Sequence, residues 1–379
     1  MEETAKIMFS LIRYELTGNK CQFPTSDMLE DLYFLSKKHD LAHLVGDALK
    51  KNSVYMTDEF SKKFEKQMMT ALFRYEQSRF ALKEIKDLFE KEKIPFIPLK
   101  GSVIRDIYPE PWLRTSCDID ILIHESDLEH AKNSLVNQLE YTVLQRLPHD
   151  VSLLSPSDVH LELHFELIED DFFSKTAIEI MNNAWQYASA EKGCSEHTFS
   201  NEFFMFFHIA HMAKHFSVGG CGIRPFIDLW LLFRSKKHKS NDIQLIKDGC
   251  LEDFYNASLR LSDVWFSSEP HDDVTLSMEK YLLGAGVYGS TENRVAFGKE
   301  KSGSVFSYMM SRIFLPYAMM KKQHPILKKV PLLLPFFHIL RWLRIVFSGR
   351  LKKGVKELTL SSKSLEHEKI SELMKSLGI

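Results

Sequence analysis

The chain has 379 residues, 44% hydrophobic, 26% charged and 12% aromatic, with 13 Pro and 16 Gly, a balance that excludes disordered, collagen-like and low-complexity polypeptides. At about 100–200 residues per domain, that length predicts two or three packed units. The formal charge of −2 points to no sequence-specific nucleic-acid partner, and five scattered cysteines without a Cys-x-x-Cys pair suggest neither a disulfide framework nor a thiolate zinc site. A reducing compartment is therefore expected. The acidic start Met1-Glu2-Glu3-Thr4 carries no signal-peptide pattern, so the expected location is cytoplasmic.

Residues 1–93 read as a helical region. Thr25-Ser26-Asp27 offers capping oxygens before Met28, Leu29, Leu32 and Leu35, which recur at helical spacing. A longer pattern from Thr57 to Lys93 sets Phe60, Phe64, Met68, Leu72 and Tyr75 on one stripe, continued by Phe80, Ile85 and Phe89, all expected in the core. The period changes over 94–170. Ile94 to Leu99 is a short apolar run broken by prolines, as a strand entry would be. Asp118 to Ile123 and His160 to Leu167 alternate polar and apolar residues, as half-buried strands do. Between them, Ser126 and Asp127 can cap a helix carrying Leu128, Ala131, Leu135 and Leu139. A small sheet with packed helices is the natural product. Helical periodicity returns over 171–300, interrupted at Gly219, Gly220 and Gly222, with Pro225 starting a new run from Phe226 to Phe233.

The last region, 301–379, begins with a charge asymmetry. Residues 301–356 hold twelve Lys or Arg and no acid, so that residues 1–300 carry a formal −13. Pro316, Pro325, Pro331 and Pro335 divide this aromatic-rich segment into short helices. Val330 to Phe347 is the best membrane-span candidate, but it contains two of those prolines together with Arg341 and Arg344, which argue against a span. Its apolar residues are expected to pack on the helical body. The basic rim left over would either make a weak peripheral contact with an anionic membrane or polymer, or simply balance the acidic body.

Lys100-Gly101-Ser102 carries the first chemical signal. It lies between a strand and a helix, where a glycine lets backbone N–H groups approach an anion, Ser102 adds a hydroxyl and Lys100 a point charge for phosphate. Asp118 and Asp120, two apart on a strand, project from the same face. Their repulsion is usually relieved by a hard cation such as Mg²⁺ or Mn²⁺, the alternative being an exposed strand face that is merely acidic. Glu162, flanked by Leu161 and Leu163, can complete a three-carboxylate cluster able to align an attacking oxygen and a leaving phosphate. His164 shares that face. Because three carboxylates suffice for Mg²⁺, it reads as a neighbour or substrate contact before a ligand.

Together, Gly101-Ser102, Asp118-x-Asp120 and the isolated strand acid Glu162 resemble the DNA polymerase β-like nucleotidyltransferase superfamily. More narrowly, Ile94 to Gly101, Tyr108-Pro109, Leu113-Arg114, Asp118 to Leu122 and Leu161 to His164 resemble the bacterial uncharacterised nucleotidyltransferase family, over about 34–233. The resemblance implies an α+β fold, with a polymerase β-like core of small mixed sheet and packed helices flanked by N- and C-terminal helical regions. It also implies a divalent metal and transfer of NMP from an NTP to an acceptor hydroxyl with release of pyrophosphate. Carried over by position, Gly101 and Ser102 would hold nucleotide phosphates, Asp118 and Asp120 the metals, Glu162 the third carboxylate position, and Arg114 would offset triphosphate charge. The chain departs from the superfamily in having Lys100 at a usually apolar position and a long interval between Ser102 and Asp118.

Beyond the sheet, His208, His211 and His215 recur at i, i+3 and i+7 without the Glu of a zinc-protease motif. Lys214, His215 and Arg224 could form a basic wall towards nucleotide or acceptor, or serve packing and capping, with Asp228 as a partner for His215 or Arg224. Two alternatives stand beside nucleotidyl transfer: an Asp-x-Asp glycosyltransferase using a nucleotide sugar, and a non-catalytic nucleotide-binding module.

Overall fold

A computed structural model describes residues 2–52, 54, 58–167, 173–235, 243–287, 289, 310, 313–347 and 365–379. The chain divides into two compact units, one of residues 1–213 and 223–276 with Gly378, the other of 214–222 and 277–377 with Ile379.

The first unit opens with helices α1 (Glu2–Thr17), α2 (Leu29–Lys38), α3 (Ala42–Lys51) and α4 (Asp58–Glu92). Strand β1 (Phe96–Pro98) then leads into a single helical turn, α5 (Gly101–Ile104). Strand β2 (Asp118–Ile123), α6 (Leu128–Leu139), β3 (Thr142–Arg146), β4 (Asp150–Leu154) and β5 (His160–His164) follow. The sheet order is β1-β2-β5-β4-β3. β2 and β5 run parallel, and every other neighbouring pair is antiparallel, so the sheet is small and mixed. Alternation decides which face goes inside. Ile119, Ile121 and Ile123 of β2 and Leu161 and Leu163 of β5 pack with Ile85 and Phe89 of α4 and with Leu128, Ala131 and Leu135 of α6. The opposite face is left to Asp118, Asp120, Glu162 and His164.

Not every residue of the long apolar stripe on α4 reaches that core. Ile85 is buried in it and Phe64 is buried instead against Tyr33 of α2, while Leu72 and Phe80 are exposed. Each i, i+4 step advances about 40° around a helix, so across the 35 residues of α4 a row of such steps winds away from the face it began on. A run of i, i+3 and i, i+4 steps from Ala81 to Phe89 returns the apolar face to the sheet.

The rest of the first unit consists of α7 (Lys175–Asn182), a two-stranded ribbon of β6 (Ala188–Ala190) and β7 (His197–Phe199), most of α8 (Asn201–Ser217), α9 (Arg224–Arg234), α10 (Gln244–Asp248), α11 (Glu252–Ser267) and the start of α12 (Asp273–Ala285). Pro225 sits in the first turn of α9, where its missing N–H costs nothing. Aromatic packing ties α1, α9 and α11 together: Phe9 stacks on Trp265 at 4.5 Å between ring centres, and Phe226 meets Trp265 edge-on at 5.2 Å.

In the second unit, Tyr281 near the end of α12 donates its hydroxyl to the Phe216 carbonyl at 2.7 Å. Helices at Tyr317–Gln323, Leu334–Phe347 and Leu365–Ser376 belong to this unit. Among the described residues no helix is long and apolar enough to cross a membrane. Of the basic segment, residues 301–309, 311–312 and 348–356 lie outside the described set, Phe306 and Tyr308 among them.

Candidate active site

Two parallel strands set the acids side by side. The register places Asp118 beside His160, Asp120 beside Glu162 and Leu122 beside His164, so the polar side chains of β2 and β5 share one face. Asp120 is buried. Its Oδ1 accepts a hydrogen bond from His164 Nε2 at 2.9 Å and lies 3.5 Å from Lys100 Nζ. His164 Nε2 is also 3.4 Å from Glu162 Oε2. Ligand atoms of Asp120, Glu162 and His164 all fall within 4.8 Å of one another, a grouping that leaves out Asp118 at the start of the strand.

The electrostatics of these groups diverge. Burial, with the neighbouring charges of Asp120 and Glu162, pushes the Asp118 carboxyl up to about 6. Burial acts on Asp120 in the same direction, but Lys100 and the hydrogen bond from His164 outweigh it and hold Asp120 well below the usual carboxylate range. Burial disfavours the charge on His164, yet its bonds to Asp120 and Glu162 raise it to about 9. The pairing thus favours the protonated imidazole of His164, which with Lys100 offsets the charge on Asp120.

Lys100 and Arg114 act to lower Asp118, but burial first, and then the charges of Asp120 and Glu162, outweigh them. A face with three carboxylates and an unmet demand for positive charge fits a hard divalent ion with oxygen ligands. Of the three acids expected from the sequence to hold it, Asp120 and Glu162 bring their ligand atoms together, with His164 beside them. His164 Nε2 lies within reach of both Asp120 and Glu162.

The loop between β1 and β2 is built around the cluster. Lys100 has φ +42°, an uncommon conformation for a residue with a Cβ, at the point where its ammonium turns back on Asp120. Gly101 opens α5, and a Cβ there would run into the Arg114 guanidinium. That guanidinium is fixed: Arg114 Nη2 donates to Asp228 Oδ2 at 2.9 Å, while Tyr108 Oη donates to Asp228 Oδ1 at 2.7 Å. Asp228 comes from the middle of α9 and is fully buried. Buried Arg105 braces the same turn, donating to the Gly101 carbonyl at 2.9 Å and to Ser116 Oγ at 2.8 Å. From the α2–α3 side, His43 Nε2 binds the Leu113 carbonyl at 2.8 Å and Asp40 accepts from Thr115 Oγ1 at 2.9 Å.

Gly101→Ala should therefore force Arg114 off its partner. Overpacking of this kind costs about 1–3 kcal/mol. A lowered thermal midpoint and weakened nucleotide binding are expected. An unchanged midpoint with unchanged binding would show that the guanidinium yields freely.

The remaining residues singled out in the sequence are placed as follows. Ser102 is half-buried, and its N–H bonds the Leu99 carbonyl at 3.1 Å. Arg224, at the start of α9, pairs with Asp40. Asp228 pairs with Arg114 and Tyr108, instead of the expected His215 or Arg224. Lys214, buried, and His215, exposed, lie near the end of α8 in the second unit. His208 is buried against the Pro225 carbonyl at 3.1 Å, and burial lowers its pKa. Sequence reasoning passed over Arg105, Tyr108, Asp40 and His43 as parts of the site's support. Asp228 did carry a signal: a lone acid inside the apolar run Phe226 to Phe233 must be paired once buried.

Residues 26–267 match the model of a family described as uncharacterised nucleotidyltransferase, a span that includes β2, β5, the loop between β1 and β2, and Asp228. The chain is also similar to the solved structure of antibiotic-resistance factor ANT(2'')-Ia, at 12% sequence identity and a TM-score of 0.28, over 51% of this chain and 91% of that one. No curated protein matches the sequence.

Proposed function

The chain belongs to the uncharacterised nucleotidyltransferase family, and on that premise we propose that it transfers NMP from an NTP, ATP foremost, to a hydroxyl of a small molecule, sugar or protein in the bacterial cytoplasm, releasing pyrophosphate. One observation carries the proposal: Asp118, Asp120 and Glu162 stand on one face of two adjacent parallel strands, beside a loop that brings Lys100 to them. The polymerase β-like core is part of the same proposal, supported by the small mixed sheet with α4 and α6 packed on its other face.

In the proposed reaction the acceptor oxygen attacks the α-phosphorus, and the bond from that phosphorus to the α,β-bridging oxygen breaks. Pyrophosphate leaves with the electron pair, and the acceptor proton passes to the Glu162 carboxylate and on to water. Glu162, like Asp118, is partly exposed, whereas Asp120 is buried, so Glu162 can meet an incoming hydroxyl. Mg²⁺ or Mn²⁺ held by Asp118, Asp120 and Glu162 would supply charge neutralisation for the triphosphate. Lys100 adds fixed positive charge at the site, and Arg114, behind Gly101, adds to the field while anchoring the loop.

Two labels test the proposal. With α-labelled ATP, Mg²⁺ and a panel of hydroxyl compounds, label should move to an acceptor, or to the protein itself, as pyrophosphate appears. Movement of γ-label would mean phosphoryl transfer, and turnover of a UDP-sugar without pyrophosphate would mean glycosyl transfer. Either result overturns the proposal. Glu162→Gln should slow the single-turnover rate by about 10²–10⁴ while leaving nucleotide Kd within about threefold. If Kd rises and the rate at saturation is unchanged, Glu162 serves binding alone.

A further inference from the structure

The helix Leu334–Phe347 in the second unit is apolar on two sides, and only one of them is packed. Its inner side is held by specific contacts: Phe337 stacks on His324 at 4.2 Å, and Trp342 Nε1 donates to the Ile313 carbonyl at 2.9 Å. His338, between them, is buried. The outer side presents Phe336, Ile339, Leu340 and Leu343, spaced i, i+3, i+4 and i+7, and all four are exposed. The short turn before the helix adds Leu332, 90% exposed. The expectation that the apolar residues of this segment pack inward is met on the side of Phe337 and His338 and not for this row, which is exposed.

Charge identifies what the row can meet. Residues 313–347 contain six Lys or Arg and no acid. Lys328, Lys329 and Arg344 are exposed along the same stretch. A second copy docking through this face about a two-fold axis would set cations against cations. An anionic bilayer surface accepts both features, since apolar side chains enter the acyl boundary and Lys and Arg stay among the headgroups.

We propose that Leu332 and the row Phe336–Leu343 form a docking face for an anionic lipid surface, with Lys328, Lys329 and Arg344 supplying the electrostatic part. The helix lies in the plane of the interface: at 14 residues with two arginines, it is too short and too charged to span.

Flotation of the full chain with vesicles tests this. One set is pure phosphatidylcholine and the other contains 30% phosphatidylglycerol, each at low and high salt. Binding to the anionic vesicles at low salt should exceed binding to neutral ones at least tenfold and fall as strongly at high salt, because exposed charges are screened over about 10 Å at 0.1 M. Leu332→Ser with Ile339→Ser, and separately Lys328→Glu with Lys329→Glu, should each reduce bound protein about tenfold with an unchanged circular-dichroism spectrum. Equal behaviour on both vesicle types, or no binding to either, overturns the proposal. So does a parent dimer in sedimentation that Ile339→Ser with Leu343→Ser converts to monomer, which would assign the face to a second copy. None of these residues belongs to the acidic cluster and the measurement needs no turnover, so its failure leaves nucleotidyl transfer untouched, and the reverse also holds.

Discussion

Asp118→Asn and Asp120→Asn are each expected to cut turnover by about a thousandfold or more, on the order of 4 kcal/mol of barrier, while moving stability in opposite directions. Both remove a carboxylate from the face that would hold the divalent ion. Their surroundings differ. In metal-free protein Asp118 is charged against its environment: its carboxyl, pushed to about 6 by burial and by Asp120 and Glu162, lies above the ordinary value near 3.9. A group raised in the folded state contributes stability that is present below about pH 4 and lost as the pH rises through 6. At pH 7–8 the parent protein is therefore destabilised by roughly 2–3 kcal/mol at this one position, at 1.4 kcal/mol per unit. Asp118→Asn should raise the thermal midpoint at pH 8 in the presence of a chelator and lose that advantage at pH 4. Asp120→Asn does the reverse, leaving Lys100 and His164 without the carboxylate they share. His164, raised to about 9 in the parent, should then titrate lower. Melting curves from pH 4 to 9 and turnover assays on the same preparations decide it. Retained turnover, or a lower midpoint for Asp118→Asn at pH 8, would count against the acidic face as the catalytic one.

That face was legible in the sequence because a strand repeats every two residues. Asp118-Ile-Asp-Ile can bury its isoleucines only by turning both acids the other way, and His160 to His164 obeys the same rule, so two strands and their shared polar face followed from alternation. Strand β3 left no such trace. It is an edge strand whose five residues are all exposed, with Val143 and Leu144 adjacent. Backbone pairing with β4, and not burial, makes it a strand, and pairing leaves no period in the residues. Helix α4 failed in a third way, since its stripe was read as if every i, i+4 neighbour faced one direction.

The partner of Asp228 was not legible either. Burial of an acid inside an apolar helix says that a cation must meet it, but the sequence offered His215 and Arg224 for that place and only the tertiary fold selects Arg114. That choice links α9 to the loop ahead of β2 across more than a hundred residues of chain.

Asp228→Asn is the substitution expected to damage the fold most. Burial opposes the charge on Asp228, but Arg114 and the Tyr108 hydroxyl more than compensate and hold its carboxyl below the usual range. A depressed acid contributes stability that is present above about pH 4 and lost as the pH falls towards its folded value. Removing the charge leaves the Arg114 guanidinium buried beside Gly101 without its counter-ion, a loss of about 3–5 kcal/mol. Unfolding by urea at pH 7 should show it, and the parent's loss of stability on acidification should flatten in the variant. Removing both charges together is less harmful than stranding one, because two apolar side chains of similar volume avoid the desolvation cost. Asp228→Leu with Arg114→Met should thus recover part of the lost stability, and adding Tyr108→Phe, which removes the hydroxyl left without its acceptor, should recover more. If Arg114 also lends positive charge to the nucleotide, turnover stays depressed in the double variant while the urea midpoint rises. If turnover returns with stability, Arg114 is a brace for the Gly101 turn and nothing more. A loss below about 1 kcal/mol in Asp228→Asn would show instead that the guanidinium finds water or another acceptor, and the link between α9 and the loop would carry little of the fold.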